Sequence, residues 1–371
     1  MEISVVEMPI TQILRILGRL REEADAGSPN SNQGGTLFPI DPSGEDGEEE
    51  QDAAQEETTT IETAIPPALL FERCKEPVTS LSVDCGVCGF GETSNGGIHF
   101  SLRSAVFTEK PDGAQHLATL RSGVICLAPK SLPQAFLALG TSLGDPGFYV
   151  SEQKNGDTLV IKQGVASSPS RIIDRFRAWW ERHTQLIAVQ TAPQGSLVIL
   201  DGSLSAGSQR DTPDIFLQGM LGTASQRSVN ILGLSKTSEL KVREKAVRWW
   251  LEDTAGAAYR ALYPMLEEPR RNRILGRTYA VRLGPRNRAQ AYRADLVPAP
   301  KQSEAQVLSM LASVRALSGY PRGLAMAHAF SYIPGPIRAQ MRANICSKYK
   351  LVCQDEKPLR GVFAPFHGAH K

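Results

Sequence analysis

The sequence predicts an α/β fold, a mixed central β-sheet flanked by helices, from three stretches. Residues 196–204 run Ser-Leu-Val-Ile-Leu-Asp-Gly-Ser-Leu. A short apolar run with β-branched members, closed by a turn signal, reads as a buried strand. It ends on the carboxylate of Asp201, and Gly202 supplies the freedom to turn. Residues 79–86 alternate into Asp84 and a Cys-Gly turn, and residues 97–107 then alternate with a period near two, which predicts a hairpin-led sheet. Between these strands, residues 168–189 carry Ile172, Ile173, Phe176, Trp179, Trp180 and Leu186 at helical spacing. Strands separated by such a helix make a layered α/β domain.

The chain of 371 residues allows one large domain or two ordinary ones, and 41% hydrophobic content suffices for a sizeable core. Its net charge of +2 hides an asymmetry. Residues 41–62 hold ten acids and no Lys or Arg, so the rest carries 41 basic residues against 29 acidic ones. A basic body with an acidic tether points to a polyanionic partner and a segment that competes with it. No secretory signal and no membrane-length apolar run is present, so a cytoplasmic, membrane-free location is expected. Of six cysteines, only Cys85 and Cys88 form a C-x-x-C pair. A zinc site needs four ligands and only Cys74 or His99 is on offer to extend it, so reduced thiols are the default.

Taken in order, residues 1–25 contain an amphipathic helix, with Ile10, Ile13, Leu14, Leu17 and Leu20 on one face. Too short to be stable alone, it must pack on the body, a second copy or a partner. Residues 26–65 read as an acidic disordered linker, residues 66–345 as the folded body, and residues 346–371 as a loose tail. A strand is predicted at 123–127 and another at 158–162. After Asp201 come a partly helical stretch to residue 228, a strand over 229–234 running into Ser235-Lys236, and a helix over 240–266 that buries Trp249 and Trp250. Lys236 is placed to neutralise a phosphate.

Residues 270–293 hold eight arginines with Tyr279 and Tyr292 interleaved on two predicted strands, 278–283 and 289–297. Arginine with aromatics on a sheet suits nucleic acid, guanidinium binding phosphate and rings stacking on bases, and Arg282 and Arg293 are the candidate contacts. A solvated charged hairpin is the plainer reading. Farther on, Pro321 fits the first turn of a helix that carries His328 beside Leu324. A lone His on such a face is more often a satisfied core residue.

Two acids at the ends of two buried strands begin a metal site, because open α/β sheets place ligands at strand carboxyl ends and hard divalent cations take carboxylate oxygens. On the helix, Asp174 and Glu181 are seven residues apart, hence two turns apart on one face.

The order Val-Asp84, a helical Glu, Leu-Asp201-Gly-Ser-Leu, Leu-Gly-Leu-Ser-Lys236 and Gly-Tyr320-Pro-x-x-Leu-x-x-Ala-His328 resembles the NurA nuclease family over roughly residues 75–335. The resemblance implies an RNase H-like core and a nuclease preferring Mn²⁺, with Mg²⁺ as the alternative. It also implies a homodimer docked on a HerA-type hexameric ATPase in DNA end processing. By match, Asp84, Asp201, Tyr320 and His328 take active-site positions, Glu181 takes the helical acid with Asp174 as fallback, and Lys236 matches a recurring lysine. Asp84, Glu181 and Asp201 would then hold one or two divalent ions for in-line attack on a phosphodiester. Two rivals stand beside it. An actin-like ATPase would use Asp84, Cys85, Gly86, Gly89 and Gly91 as a phosphate turn. A silent DNA-binding adaptor of a motor ATPase would lack a metal acid, yet Asp84 and Asp201 are both present.

Overall fold

Fourteen residues from Ser80 to Thr93 form one long strand, and the sheet is laid out along it. The structure, a computed structural model, describes residues 36–40, 60–61, 69–76, 78–152, 159–206, 212–236, 241–242, 245–246, 259–262, 273–283, 291–317 and 319–354. Strand β1 (Thr36–Phe38) precedes this long strand, β2 (Ser80–Thr93). Next come β3 (Ile98–Glu109) and β4 (Gln115–Leu127), which complete an antiparallel meander. The β2–β3 turn uses Gly96 at φ 79°, a left-handed position that favours glycine.

Helix α1 (Leu132–Ser142) follows, and then α2 (Pro169–Thr191) crosses to the next strand. Ser168 caps α2, its hydroxyl accepting from the Arg171 amide at 3.3 Å, and Pro169 fills the first turn where no amide is needed. Strand β5 (Leu197–Asp201) then pairs parallel to β2. Helix α3 (Asp214–Gln226) leads to β6 (Asn230–Ser235), parallel to β5. The order β4-β3-β2-β5-β6, three antiparallel strands followed by two parallel ones reached through helices, is an RNase H-like core in a mixed α/β fold.

The sheet continues through β7 (Tyr259–Leu262), β8 (Arg277–Leu283) and β9 (Ala291–Val297), all antiparallel, with β9 against β6. Among the described residues, eleven strands share it. Helices α4 (Glu304–Ser313), α5 (Arg322–Ser331) and α6 (Gly335–Tyr349) follow, and β10 (Val352–Cys353) returns to pair with β1.

Register fixes which side chains share a face. Leu81, Val83, Val198, Leu200 and Ile231 pack with Ala188, Val189, Leu217 and Met220 of α2 and α3. Higher on the same side, Cys85, Phe100 and Leu102 meet Phe176, Trp179 and Trp180. The opposite side puts Leu197, Ile199, Leu232 and Leu234 against Val307, Leu308, Leu311 and Leu324 of α4 and α5. Asp84 and Asp201 fall on this second side, in step with Ser82 and Ile199.

Several expectations change. Asp84 is not at a strand end, because β2 runs straight through it to Thr93. What ends there is the neighbour: the β2–β5 register stops at Val83 opposite Leu200, so one more step sets Asp84 beside Asp201. Gly86, Gly89 and Gly91 therefore lie in a strand and form no phosphate turn. Cys85 and Cys88, three apart on that strand, point to opposite sides, Cys85 into the α2 cluster and Cys88 toward Leu37 and Ile345, so they cannot chelate together. Cys346 and Cys353 are bridged rather than reduced, the left-handed Lys350 after α6 bringing their Cα atoms to 6.1 Å.

The predicted linker contains β1, which docks where Gly91 leaves room, since a Cβ there would lie 2.4 Å from the Phe38 carbonyl oxygen. The predicted tail contains the end of α6 and β10. Within 240–266 the described residues are strands, because β8 exposes an edge that Tyr259–Leu262 completes, and tertiary pairing overrides local helical preference. Trp249, Trp250 and the helix expected in residues 1–25 lie outside the described residues. No helix among the described residues is long and apolar enough to cross a membrane.

Candidate active site

Helix α5 lies flat on β2 because at each of two contacts one of the elements presents a glycine. A Cβ on Gly323 would fall 2.3 Å from the Ser82 hydroxyl, and a Cβ on Gly86 would fall 2.5 Å from the Ser331 carbonyl oxygen. From Gly323 to Ser331 a helix rises about 12 Å. From Ser82 to Gly86 a strand advances about 13 Å. The lengths match, so the helix runs along the strand and sets His328 above Asp84.

The Asp84 carboxylate is buried and fully engaged. Its Oδ2 lies 2.8 Å from His328 Nδ1 and accepts the Ser331 hydroxyl at 3.3 Å, while Oδ1 accepts the Cys85 amide at 2.7 Å. Burial pushes the carboxyl up, but the bond and charge of His328, with the Arg177 guanidinium, outweigh burial and hold it below the ordinary carboxylate range. In return, the bond to Asp84 raises the imidazole against the opposing pull of burial. The His328 side chain stays 63% exposed, so one ring edge holds Asp84 and the rest faces solvent.

Asp201 has its own partners. Lys236, from the end of β6, pairs with its Oδ2 at 3.1 Å. The Tyr320 hydroxyl donates to Oδ1 at 3.4 Å, a long bond. Lys236 Nζ also sits 5.1 Å from the Tyr320 ring centre, and Tyr292 packs on that ring at 5.5 Å. Burial and the two aspartates push the Tyr320 phenol far up, so it acts only as a neutral donor.

The third carboxyl comes from α2. Trp179 and Trp180 are anchored in the core by their indole N–H groups, to Ser142 at 2.8 Å and Ser104 at 3.1 Å, which turns Glu181 to the helix flank. Glu181 Oε1 accepts Gln185 Nε2 at 3.1 Å, and Gln185 is held by Arg182 at 2.7 Å. Burial pushes Glu181 up to about 7, Arg177 and Arg182 pull it back, and Asp84 and Asp201 add to the rise. Glu181 thus feels both aspartates.

Five predicted residues, Asp84, Asp201, Lys236, Tyr320 and His328, converge by direct contact, and Glu181 joins them electrostatically. Arg282 and Arg293 do not join them. They alternate onto the other side of the sheet, 4% and 5% exposed, where Arg293 Nε pairs with the fully buried Asp295 at 3.0 Å. Tyr279 and Tyr292 are buried in the α4 cluster, so this hairpin offers no stacking surface there. Asp295 also accepts the Leu204 amide at 2.9 Å and the Thr278 hydroxyl at 2.7 Å, tying the chain after Asp201 to the sheet. Arg293→Met is expected to lower stability by about 2 kcal/mol, the worth of one buried charged hydrogen bond, and to leave DNA affinity unchanged. Chemical denaturation beside a binding titration checks both. Sequence reasoning missed Ser331 and Arg177. Ser331 stands three residues beyond His328 on the same helix flank, a signal that was readable. Arg177, donating to the Cys85 carbonyl at 3.2 Å, is visible only once α2 is docked.

The donor set suits a hard divalent cation: three carboxylates, one of them raised by burial first and then by the two aspartates. As they stand, no three His, Cys, Asp or Glu side chains among the described residues are gathered tightly enough to enclose an ion. His328 and Lys236 instead hold the oxygens that a cation would take.

No protein-family model matches the chain, and no curated protein does. Among solved structures it is similar to the NurA nuclease from Sulfolobus solfataricus, at 13% identity and a TM-score of 0.46 over 84% of this chain and 95% of that one. It is similar to the catalytic domain of human endonuclease V at 14% identity and a TM-score of 0.33, over 84% of this chain and 100% of that one. It is also similar to a NurA bound to dAMP and manganese, at 8% identity and a TM-score of 0.38 over 78% of this chain and 90% of that one.

Proposed function

We propose that this chain is a divalent-metal-dependent deoxyribonuclease that hydrolyses phosphodiesters at Asp84, Glu181 and Asp201. One observation carries the reading: two carboxylates stand side by side where two parallel strands part, Asp84 bonded to His328 and Asp201 to Lys236, with a third carboxyl raised by burial and then by their charge. Three acidic groups gathered beside Lys236 and His328 support a site for a divalent cation and an anionic substrate.

Asp84, Glu181 and Asp201 would hold Mn²⁺ or Mg²⁺, which supplies positive charge at the scissile phosphate. The chain's own groups do the rest. Lys236, half-exposed beside Asp201, turns to a phosphate oxygen once Asp201 has another partner. Tyr320 fixes Asp201 through its hydroxyl. His328 has a solvent-facing ring and a raised proton affinity, and holds or passes a proton at the leaving oxygen. The reading extends to a 5'-3' exonuclease, a single-strand endonuclease, or both. It includes a homodimer working on DNA ends with a HerA-type ATPase, which the family resemblance supports.

The test is cleavage of end-labelled single- and double-stranded DNA in Mn²⁺, Mg²⁺ or a chelator. Cleavage that persists in the chelator would sink the proposal. The pH dependence of ion binding follows from Glu181. Below about 7 this carboxyl keeps a proton that the ion must displace. Apparent metal affinity therefore rises about tenfold per pH unit up to about 7 and then levels. Calorimetry in two buffers of different ionisation heat reads the released proton, and a flat profile would refute the role of Glu181.

A further inference from the structure

Arg103 on β3 and Arg121 on β4 are direct cross-strand partners, two like charges face to face on one side of the sheet. Such pairs are destabilising unless something anionic sits between them. Each presses on the other, since burial and then the Arg121 charge both lower the proton affinity of Arg103. No carboxylate pairs with either arginine among the described residues. Arg103 Nε is buried with no hydrogen-bond partner, and its NH1 makes only a long 3.5 Å bond to the Tyr332 carbonyl. A guanidinium has five donors, and here most are unused.

The pair is placed by a deliberate irregularity. The register of β3 and β4 shifts between Ser101 and Arg103, where Ser122 and Gly123 form a bulge. Gly123 takes φ 70°, and the Ser122 hydroxyl accepts the Leu102 amide at 2.9 Å. Bulges re-aim side chains and recur beside active sites. Arg103 faces Gly86 in the register, two residues along from Ala105, which faces Asp84. Arg103 therefore lies about 7 Å farther along the strand direction than Asp84 and one strand across, with Arg121 one strand beyond it, on the same face. Arg103 also reaches the main chain at the end of α5, at Tyr332, a residue that is 59% exposed.

We propose that Arg103 and Arg121 form a phosphate-binding subsite that grips the DNA backbone at a phosphate neighbouring the scissile one. This rests on the nuclease reading above and names where the strand runs. The like-charge pair is tolerated in the free chain and relieved when a phosphate lies across it, taking bidentate hydrogen bonds from the guanidinium groups. Tyr332 stands where a base attached to that phosphate can stack.

The experiment is an anisotropy titration of a fluorescein-labelled single-stranded oligonucleotide, in chelator, over a salt series. It compares wild type, Arg103→Gln and Arg121→Gln, with a thermal melt of each. Each variant is expected to bind about tenfold more weakly, with the slope of log K against log salt reduced by about 0.7. Arg121→Gln is also expected to melt higher than wild type, because the repulsion is gone. Unchanged affinity and slope would overturn the subsite, as would weaker binding accompanied by a lower melting point in both variants. Wild type that binds DNA while both variants bind equally well removes the subsite and leaves the nuclease reading standing. Wild type that binds no DNA removes both.

Discussion

Asp201→Ala is expected to abolish DNA cleavage, by about a thousandfold or more, and to leave DNA binding intact. Losing one hard ligand of a catalytic cation costs several kcal/mol of transition-state stabilisation, and about 4 kcal/mol is a thousandfold in rate. The same change removes the carboxylate 3.1 Å from Lys236, and with it one negative charge from the proposed phosphate position. Affinity in chelator is therefore expected to hold or rise a fewfold. Asp201→Asn separates the causes: it keeps an acceptor for Tyr320 and the volume of the side chain, so it should be as inactive as the alanine variant while melting like wild type. Wild type that binds DNA but cleaves in no metal would move the chain to the adaptor reading, or to a nuclease that needs its motor. ATP turnover by the isolated chain would favour an ATPase, although β2 runs unbroken through the glycines that such an enzyme would use for phosphate.

Which parts were legible in the sequence follows from how far each signal reaches. Leu197–Asp201 and α2 announce themselves by local pattern, because a buried strand and an amphipathic helix need only their own residues to be recognised. The two aspartates stood out for the same reason. The arginines of β8 and β9 misled because alternation says which residues share a face, not whether that face meets water. Tyr279 and Val281 pack on α4, while Arg282 and Arg293 go to the other side, where the sheet is covered as well. The readable clue was Asp295, two residues from Arg293 and so on its face, a partner within reach. The long reach of β2 was hidden by its glycines, which look like turn residues in one dimension. Gly86 and Gly91 are there because α5 and β1 come in from far along the chain. Arg103 and Arg121 escaped notice because their pairing depends on a bulge.

Gly86→Ala is expected to cost about 3 kcal/mol of stability and at least about a hundredfold in cleavage. The added methyl would sit 2.5 Å from the Ser331 carbonyl oxygen and 3.0 Å from its carbonyl carbon. These are backbone atoms, so no rotamer relieves the clash and the helix must lift, an overpacking penalty at the upper end of the usual range. Lifting α5 at Ser331 moves the two donors that hold Asp84 Oδ2, the Ser331 hydroxyl at 3.3 Å and His328 at 2.8 Å. Stability and activity therefore fall together, through one contact. The other end of the helix gives the control. At Gly323 the added methyl meets the Ser82 hydroxyl at 2.3 Å and its Cβ at 3.0 Å, side-chain atoms that a second substitution removes. Gly323→Ala alone should destabilise, and Ser82→Gly in the same chain should restore much of the loss, a coupling that a double-mutant cycle reads directly. No partner substitution rescues Gly86→Ala, because its clash is with the main chain. If Gly86→Ala melted and cleaved like wild type, the close seating of α5 on β2 would not be what holds His328 over Asp84.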